Sequence, residues 1–217
     1  MDATVPIESR RINIVDADGR VRLALFNAEE MPDVIQGGVA YPGRRQGDRM
    51  AGLMFYDAHG NECGGLIFGS TETKEGHIEQ GLSLTFDAFQ QDQVVQVFSV
   101  DEAGERRFGV RMVDRPARPL REDLERWPEI LGMPDGPAKD AAIAQLHEGH
   151  AQRVFLGRES DGTAEMRLHD GTGQVRIRLA VAEDGHSRLE FLDAEGKVVY
   201  RLPPDLPESD PRSGSAG

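Results

Sequence analysis

The feature that most restricts how this chain can fold is a recurring reversal. Four tetrads open with aspartate and close with glycine: DADG at 16–19, DAHG at 57–60, DEAG at 101–104 and DAEG at 193–196. Looser relatives occur at Asp161-Gly162, Asp170 to Gly173 and Glu183 to Gly185. In a type I turn, aspartate at the first position accepts backbone N–H groups just ahead of it, and glycine at the fourth takes the left-handed conformation of a G1 bulge. Such a tetrad joins two antiparallel strands. Apolar pairs precede several copies (Ile14-Val15, Phe55-Tyr56, Phe191-Leu192). DADGRVRLAL from Asp16 also parallels DAEGKVVYRL from Asp193. The copies are too unevenly spaced for a solenoid, so the sequence reads as one hairpin unit used repeatedly.

Between the turns, side chains alternate with the period of a strand. Val175, Ile177, Leu179 and Val181 fall on one side and Arg176 and Arg178 on the other; Ala164, Met166 and Leu168 oppose Glu165, Arg167 and His169; Phe108, Val110 and Met112 oppose Arg107 and Arg111. Strands buried on both faces would read as unbroken apolar runs. The expectation is therefore a mainly β protein, an antiparallel meander with barrel-like or sandwich sheets built from Asp-x-x-Gly hairpins, with its apolar face on the core and its charged face in water. Strands are expected at 11–15, 20–26, 51–56, 63–69, 81–87, 93–100 and 106–113, then at 153–157, 163–169, 174–181, 187–192 and 197–202.

Three segments interrupt this pattern. The Gly-, Pro- and charge-rich stretch from Asn27 to Arg49 reads as a long connection, the kind of loop that often serves as a lid or binding loop. PLREDLERW, 119–127, places Leu120, Leu124 and Trp127 on one helical face, with Pro128 expected to end the helix. A second helix begins at Pro137 after Asp135-Gly136, and Gly149 stands where a C-terminal cap belongs. The organisation is thus a β region over 8–115, a helical connection over 116–150, a β meander over 151–202 and a Pro/Ser/Gly-rich tail over 203–217 expected to be disordered. The two helices would bridge two sheets or cover an open edge.

Charge narrows the partners. With 38 acidic against 25 basic residues and a formal net charge of −13, the chain would repel a phosphate backbone, so nucleic-acid binding is not expected. No apolar run approaches the roughly 18 residues of a membrane span. The lone Cys63 cannot form an internal disulfide, and MDATVPIESR at the start has no basic, apolar leader pattern, so the expected setting is soluble and cytoplasmic.

Candidate sites concentrate in two hairpins. In NECGGLIFG, 61–69, Gly64 and Gly65 read as the device of a sheet bend, with Glu62 and Cys63 beside them able to line a space. In QQDQ, 90–93, Gln91, Asp92 and Gln93 form a polar loop between two apolar runs. Glu62 and Asp92 would serve as acid and base if burial split their pKa values, with Gln91, Gln93, Cys63, Gly64 and Gly65 as ligand-binding positions. Cys63 with His59 lacks the further groups of a nucleophilic site and reads as an inert thiol. HEGH, 147–150, has a metal-like spacing without a third or fourth ligand, and the DADG tetrad lacks the rest of a calcium loop, so no metal and no cofactor are expected. Calcium binding at the aspartate turns stands as a minor alternative.

MFYDAHGNECGGLIFG, 54–69, and FQQDQVVQ, 89–96, resemble a group of bacterial β-rich proteins of similar length that has no established activity. The D-x-x-G-[KR]-V stretches resemble those of β-rich bacterial fibre-type proteins, which implies an oligomer and transfers no catalytic residue. The leading functional expectation is a β-rich binding or assembly protein, possible homo-oligomer and small-molecule binder, without recognisable catalytic machinery. The alternative is a cofactor-independent lyase, isomerase or cyclase using Glu62 and Asp92.

Overall fold

The structure is a computed structural model in which residues 7–45 and 50–204 are described. One antiparallel sheet of twelve strands dominates, laid out almost in chain order. Its strands are β1 (Arg11–Val15), β2 (Val21–Phe26), β5 (Ala51–Tyr56), β6 (Glu62–Glu72), β7 (Ile78–Asp87), β8 (Gln93–Glu102), β9 (Glu105–Asp114), β10 (Ala151–Arg158), β11 (Ala164–His169), β12 (Val175–Val181), β13 (Ser187–Leu192) and β14 (Val198–Leu202). β1 and β14 stand at opposite edges, so the sheet is an open meander and not a barrel. Every strand expected from the alternation is present.

The tetrads make the turns that chemistry requires of them. Asp16 Oδ1 accepts the N–H groups of Asp18 and Arg20, both at 3.0 Å, and Gly19 takes φ +80°. Asp57, Asp170 and Asp193 repeat the arrangement. DEAG is the exception: Asp101 and Glu102 still belong to β8, and the reversal falls on Ala103 and Gly104, at φ +56° and +92°. Positive φ at both central residues is a two-residue type I′ reversal.

The stretch from Asn27 to Arg49 is more structured than a loop. It contains a single 3₁₀ turn at Ala28–Glu30, capped by the Asn27 side chain, and a small hairpin of β3 (Val34–Gln36) and β4 (Val39–Tyr41) turned by Gly37-Gly38. The hairpin docks on the DAHG turn. Gly38 N–H donates to the Gly60 carbonyl at 3.0 Å, Gly37 N–H donates to the buried Asn61 Oδ1 at 2.8 Å, and the Asn61 amide donates to Asp57. A Cβ on Gly60 would lie 2.9 Å from the Gly38 backbone, which explains glycine there independently of its φ of +78°.

The helices α1 (Leu120–Gly132) and α2 (Pro137–His147) separate two strands that pair directly, since β9 meets β10 from Asp114↔Ala151 to Phe108↔Arg158. They therefore neither bridge two sheets nor cover an edge strand. Pro128 does not end α1, which continues four residues beyond it; only the proline's own missing N–H is lost from the ladder. Arg118 ties the pair together, bonding Asp123 at 2.9 Å and donating to the Leu146 and Glu148 carbonyls at the end of α2, where a cation also meets the negative helix terminus. The tail from 205 onward lies outside the described residues.

The expected division into a dry apolar face and a wet charged face is inverted. On the side carrying Ala24, Phe26, Met54 and Tyr56, a small core forms under Met31 and Ile35 of the connection. Farther along the same side, Phe155 and Glu190 are fully buried, at 0% exposure. The opposite side, which carries the aliphatic residues, has no layer over it among the described residues.

Candidate functional site

Strand register defines that opposite side residue by residue. One row crosses the sheet as Ile12, Leu25, Leu53, Leu66, Leu84, Val97, Val110, Leu156, Met166, Leu179, Leu189 and Leu202. Each of the twelve strands contributes one aliphatic residue, without interruption. Two residues along, the parallel row from Ile14 through Phe55, Phe86, Met112, Leu168 and Phe191 to Tyr200 contains no charge either. None of these aliphatic or aromatic side chains is buried; Leu156 is 55% exposed, Phe86 50% and Val97 44%. Isolated exposed leucines are ordinary, but a contiguous apolar surface of this extent is not ordinary for a monomer in water.

The ionic side carries the charges that alternate with those rows. Glu190 accepts from Arg178 and Arg201 and lies beside Arg188; burial works against its charge, but these arginines hold its carboxyl below the usual value. Arg107 and Arg167 share Glu159 and stack on Phe155, their guanidinium carbons 5.5 and 4.5 Å from its ring centre. Arginine can do this because its guanidinium presents a flat face to the ring while its edge binds carboxylate. The side expected to be wet is therefore closed by its own ion pairs.

At one end of the ionic side lie the residues singled out from sequence. Glu62 sits opposite Tyr56 across a bulge, and Arg45 grips it with both terminal nitrogens, at 2.6 and 3.3 Å. Asp92 pairs with Arg115 at 3.3 Å and accepts the Gln93 N–H. The two carboxylates are brought into one electrostatic neighbourhood whose third member, Asp87, the sequence reading missed. Burial pushes Asp87 up to about 7, helped by the charges of Asp92 and Glu62 and opposed by Arg115 and Arg45. Glu62 is also raised, chiefly by burial, with Arg45 opposing. The buried Tyr56 hydroxyl, pushed to about 12 by burial and then by Glu62, has no hydrogen-bond partner among the described residues.

The other expected positions have structural roles in this arrangement. Gly64, at φ +134°, would place a Cβ 2.3 Å from the Thr85 carbonyl, and Gly65 would place one 2.7 Å from that of Leu53, so both permit close strand approach at the bulge. The buried Gln91 donates to the Pro116 and Arg118 carbonyls and, with the Gln90 carbonyl receiving Leu120 N–H, positions the start of α1. Gln93 gives its carbonyl to Arg115. Burial raises the Cys63 thiol, which opposes thiolate formation. A cavity of about 730 Å³ opens nearby, but Phe89, Gln91, Val94, Met112 and Pro116 line it, not Glu62, Asp87 or Asp92. Among the described residues no group of three His, Cys, Asp or Glu is arranged to hold a metal, and no helix is long and apolar enough to cross a membrane.

Comparison with known proteins gives no match: no family model, no curated protein and no solved structure is significantly similar to the chain.

Proposed function

We propose that this is a self-assembling β protein whose apolar sheet face packs against the same face of a second copy. The observation that carries this reading is the unbroken aliphatic row across twelve strands with nothing over it among the described residues. A sheet face needs a second layer to become a core, and the described residues supply none on this side. A second copy supplies the other.

Three arguments favour a second copy as the occupant. Twelve strands about 4.8 Å apart, each crossing the contact over about five residues or roughly 16 Å, offer roughly 900 Å² per copy, so two copies cover about 1,800 Å², the size of a stable interface. The two central rows carry no charge, so a two-fold contact avoids the repulsion that a net charge of −13 would otherwise bring. Two sheets with the same twist also pack aligned, face to face, about 10 Å apart. Light scattering on the purified chain checks the reading: a mass of twice 23.9 kDa supports it, and a strict monomer across micromolar concentrations overturns it.

A second reading has its own observation, the cluster of Asp87, Glu62 and Asp92 with one carboxyl held at about 7. There, a small-molecule acid–base enzyme would use Asp87 as the proton carrier, with Glu62 and Asp92 setting its affinity. Loss of turnover in Asp87→Asn, in a screen of small-molecule lyase and isomerase substrates, is the result it requires.

A further inference from the structure

We propose that the cavity over Ser83, Gln96, Phe98 and Arg111, on the ionic side of the sheet, binds a small organic carboxylate that has an apolar body and a hydrogen-bond donor. The site lies on the side away from the self-association face and is independent of that reading.

The argument begins with a mismatch in charge pairing. Neighbouring arginines of this side have carboxylates: Arg107 and Arg167 have Glu159, Arg176 has Asp170, and Arg178, Arg188 and Arg201 have Glu190. Arg111, half-buried on the central strand β9, has none among the described residues. Its guanidinium lies over Phe98, 5.6 Å from the ring centre; burial and the charges of Arg107 and Arg115 work against its own charge, with the Asp92 carboxylate opposing them at longer range than an ion pair. A stacked guanidinium offers its edge, with two parallel N–H groups, to a carboxylate.

Directly across the strand pair from Arg111 stands Gln96. Its amide nitrogen donates to Ser83 Oγ at 2.6 Å, leaving its carbonyl oxygen, Oε1, buried with no donor. A buried acceptor without a partner costs free energy, which a ligand hydroxyl or amine recovers when the Gln96 amide turns up into the cavity. The cavity above these groups measures about 350 Å³, at the small end of ligand sites, and Ile67, Phe98 and Met50 give it apolar walls. Glu102 and Glu105 also border it and disfavour a large polyanion. A fork for one carboxylate, an acceptor for one donor and an aromatic wall between them define a hydroxy- or amino-substituted carboxylate of about ten heavy atoms.

Isothermal titration with 4-hydroxybenzoate tests this. The expected result is saturable binding, one per chain, weakened at least about tenfold in Arg111→Met and less in Arg111→Lys, which keeps the charge and loses the fork. The neutral 4-hydroxybenzamide is expected to bind at least about tenfold more weakly, and Gln96→Leu to lower affinity for 4-hydroxybenzoate more than for benzoate. These contrasts hold even if Arg111→Met fails to fold. The proposal is overturned if the wild type shows no saturable binding up to millimolar 4-hydroxybenzoate, if amide and acid bind equally, or if inorganic phosphate competes as well as the aromatic acid.

Discussion

The two sides of the sheet are written with the same alternation and have opposite fates. On the ionic side, Glu165 and Glu190 are withdrawn from water beneath arginines that keep only part of their surface in it; on the other, leucines, valines and phenylalanines that would be expected to leave water remain in contact with it. The contrast teaches that polarity alone does not decide which face of a strand is covered. Arginine buries its flat carbon-rich body readily when a carboxylate and an aromatic ring meet it, so a charged face can close on itself. An aliphatic face has no such option within one layer and needs another sheet.

Four perturbations sharpen this contrast, in decreasing order of expected effect. Val97→Glu places a carboxylate at the centre of the apolar face, opposed in a two-fold contact by its own copy. Association is expected to weaken at least about a hundredfold, through desolvation and like-charge repulsion, while the monomer's melting temperature hardly moves. Sedimentation velocity and a thermal melt at low concentration read the two effects separately. On the ionic side, Glu190→Ala removes the carboxylate that Arg178, Arg188 and Arg201 share. The expected loss in urea unfolding is about 3 kcal/mol, at the lower end for a broken buried pair because the arginines keep partial contact with water.

The third perturbation is one of pH. Asp87 is raised by burial to about 7 from an ordinary value of 3.8, so between those values the folded chain holds a proton that the unfolded chain has released. Ionisation is then harder in the fold, and the wild type loses stability as pH rises through this window. Asp87→Asn does not ionise, so its stability relative to wild type is expected to climb between about pH 4 and 7 and to level off above, measured by chemical denaturation at each pH. The smallest effect belongs to a turn: Asp193→Ala removes the acceptor for the Glu195 and Lys197 N–H groups in an exposed reversal and should cost about 1 kcal/mol.

Much of this molecule was legible in the sequence, for a physical reason. Alternation and turn chemistry are local, so the twelve strands and the reversals at Asp16, Asp57, Asp170 and Asp193 could be read directly. The β3–β4 hairpin was missed because its strands are three residues each, although Gly37-Gly38 between apolar flanks is a recognisable I′ signal. Asp87 and the unpaired Arg111 were invisible because their environments depend on register across strands. Which face is covered was illegible for a deeper reason, since burial of a sheet face depends on what packs over it and not on the local pattern.

The most direct test of that claim is a distance. A spin label on Val97→Cys, in a Cys63→Ser background, stands near the middle of the apolar face on a central strand. With sheets about 10 Å apart, pulsed dipolar spectroscopy should find the two labels of a dimer about 15–25 Å from each other. No dipolar coupling, or a dimer whose labels lie beyond about 40 Å, would contradict a face-to-face pair.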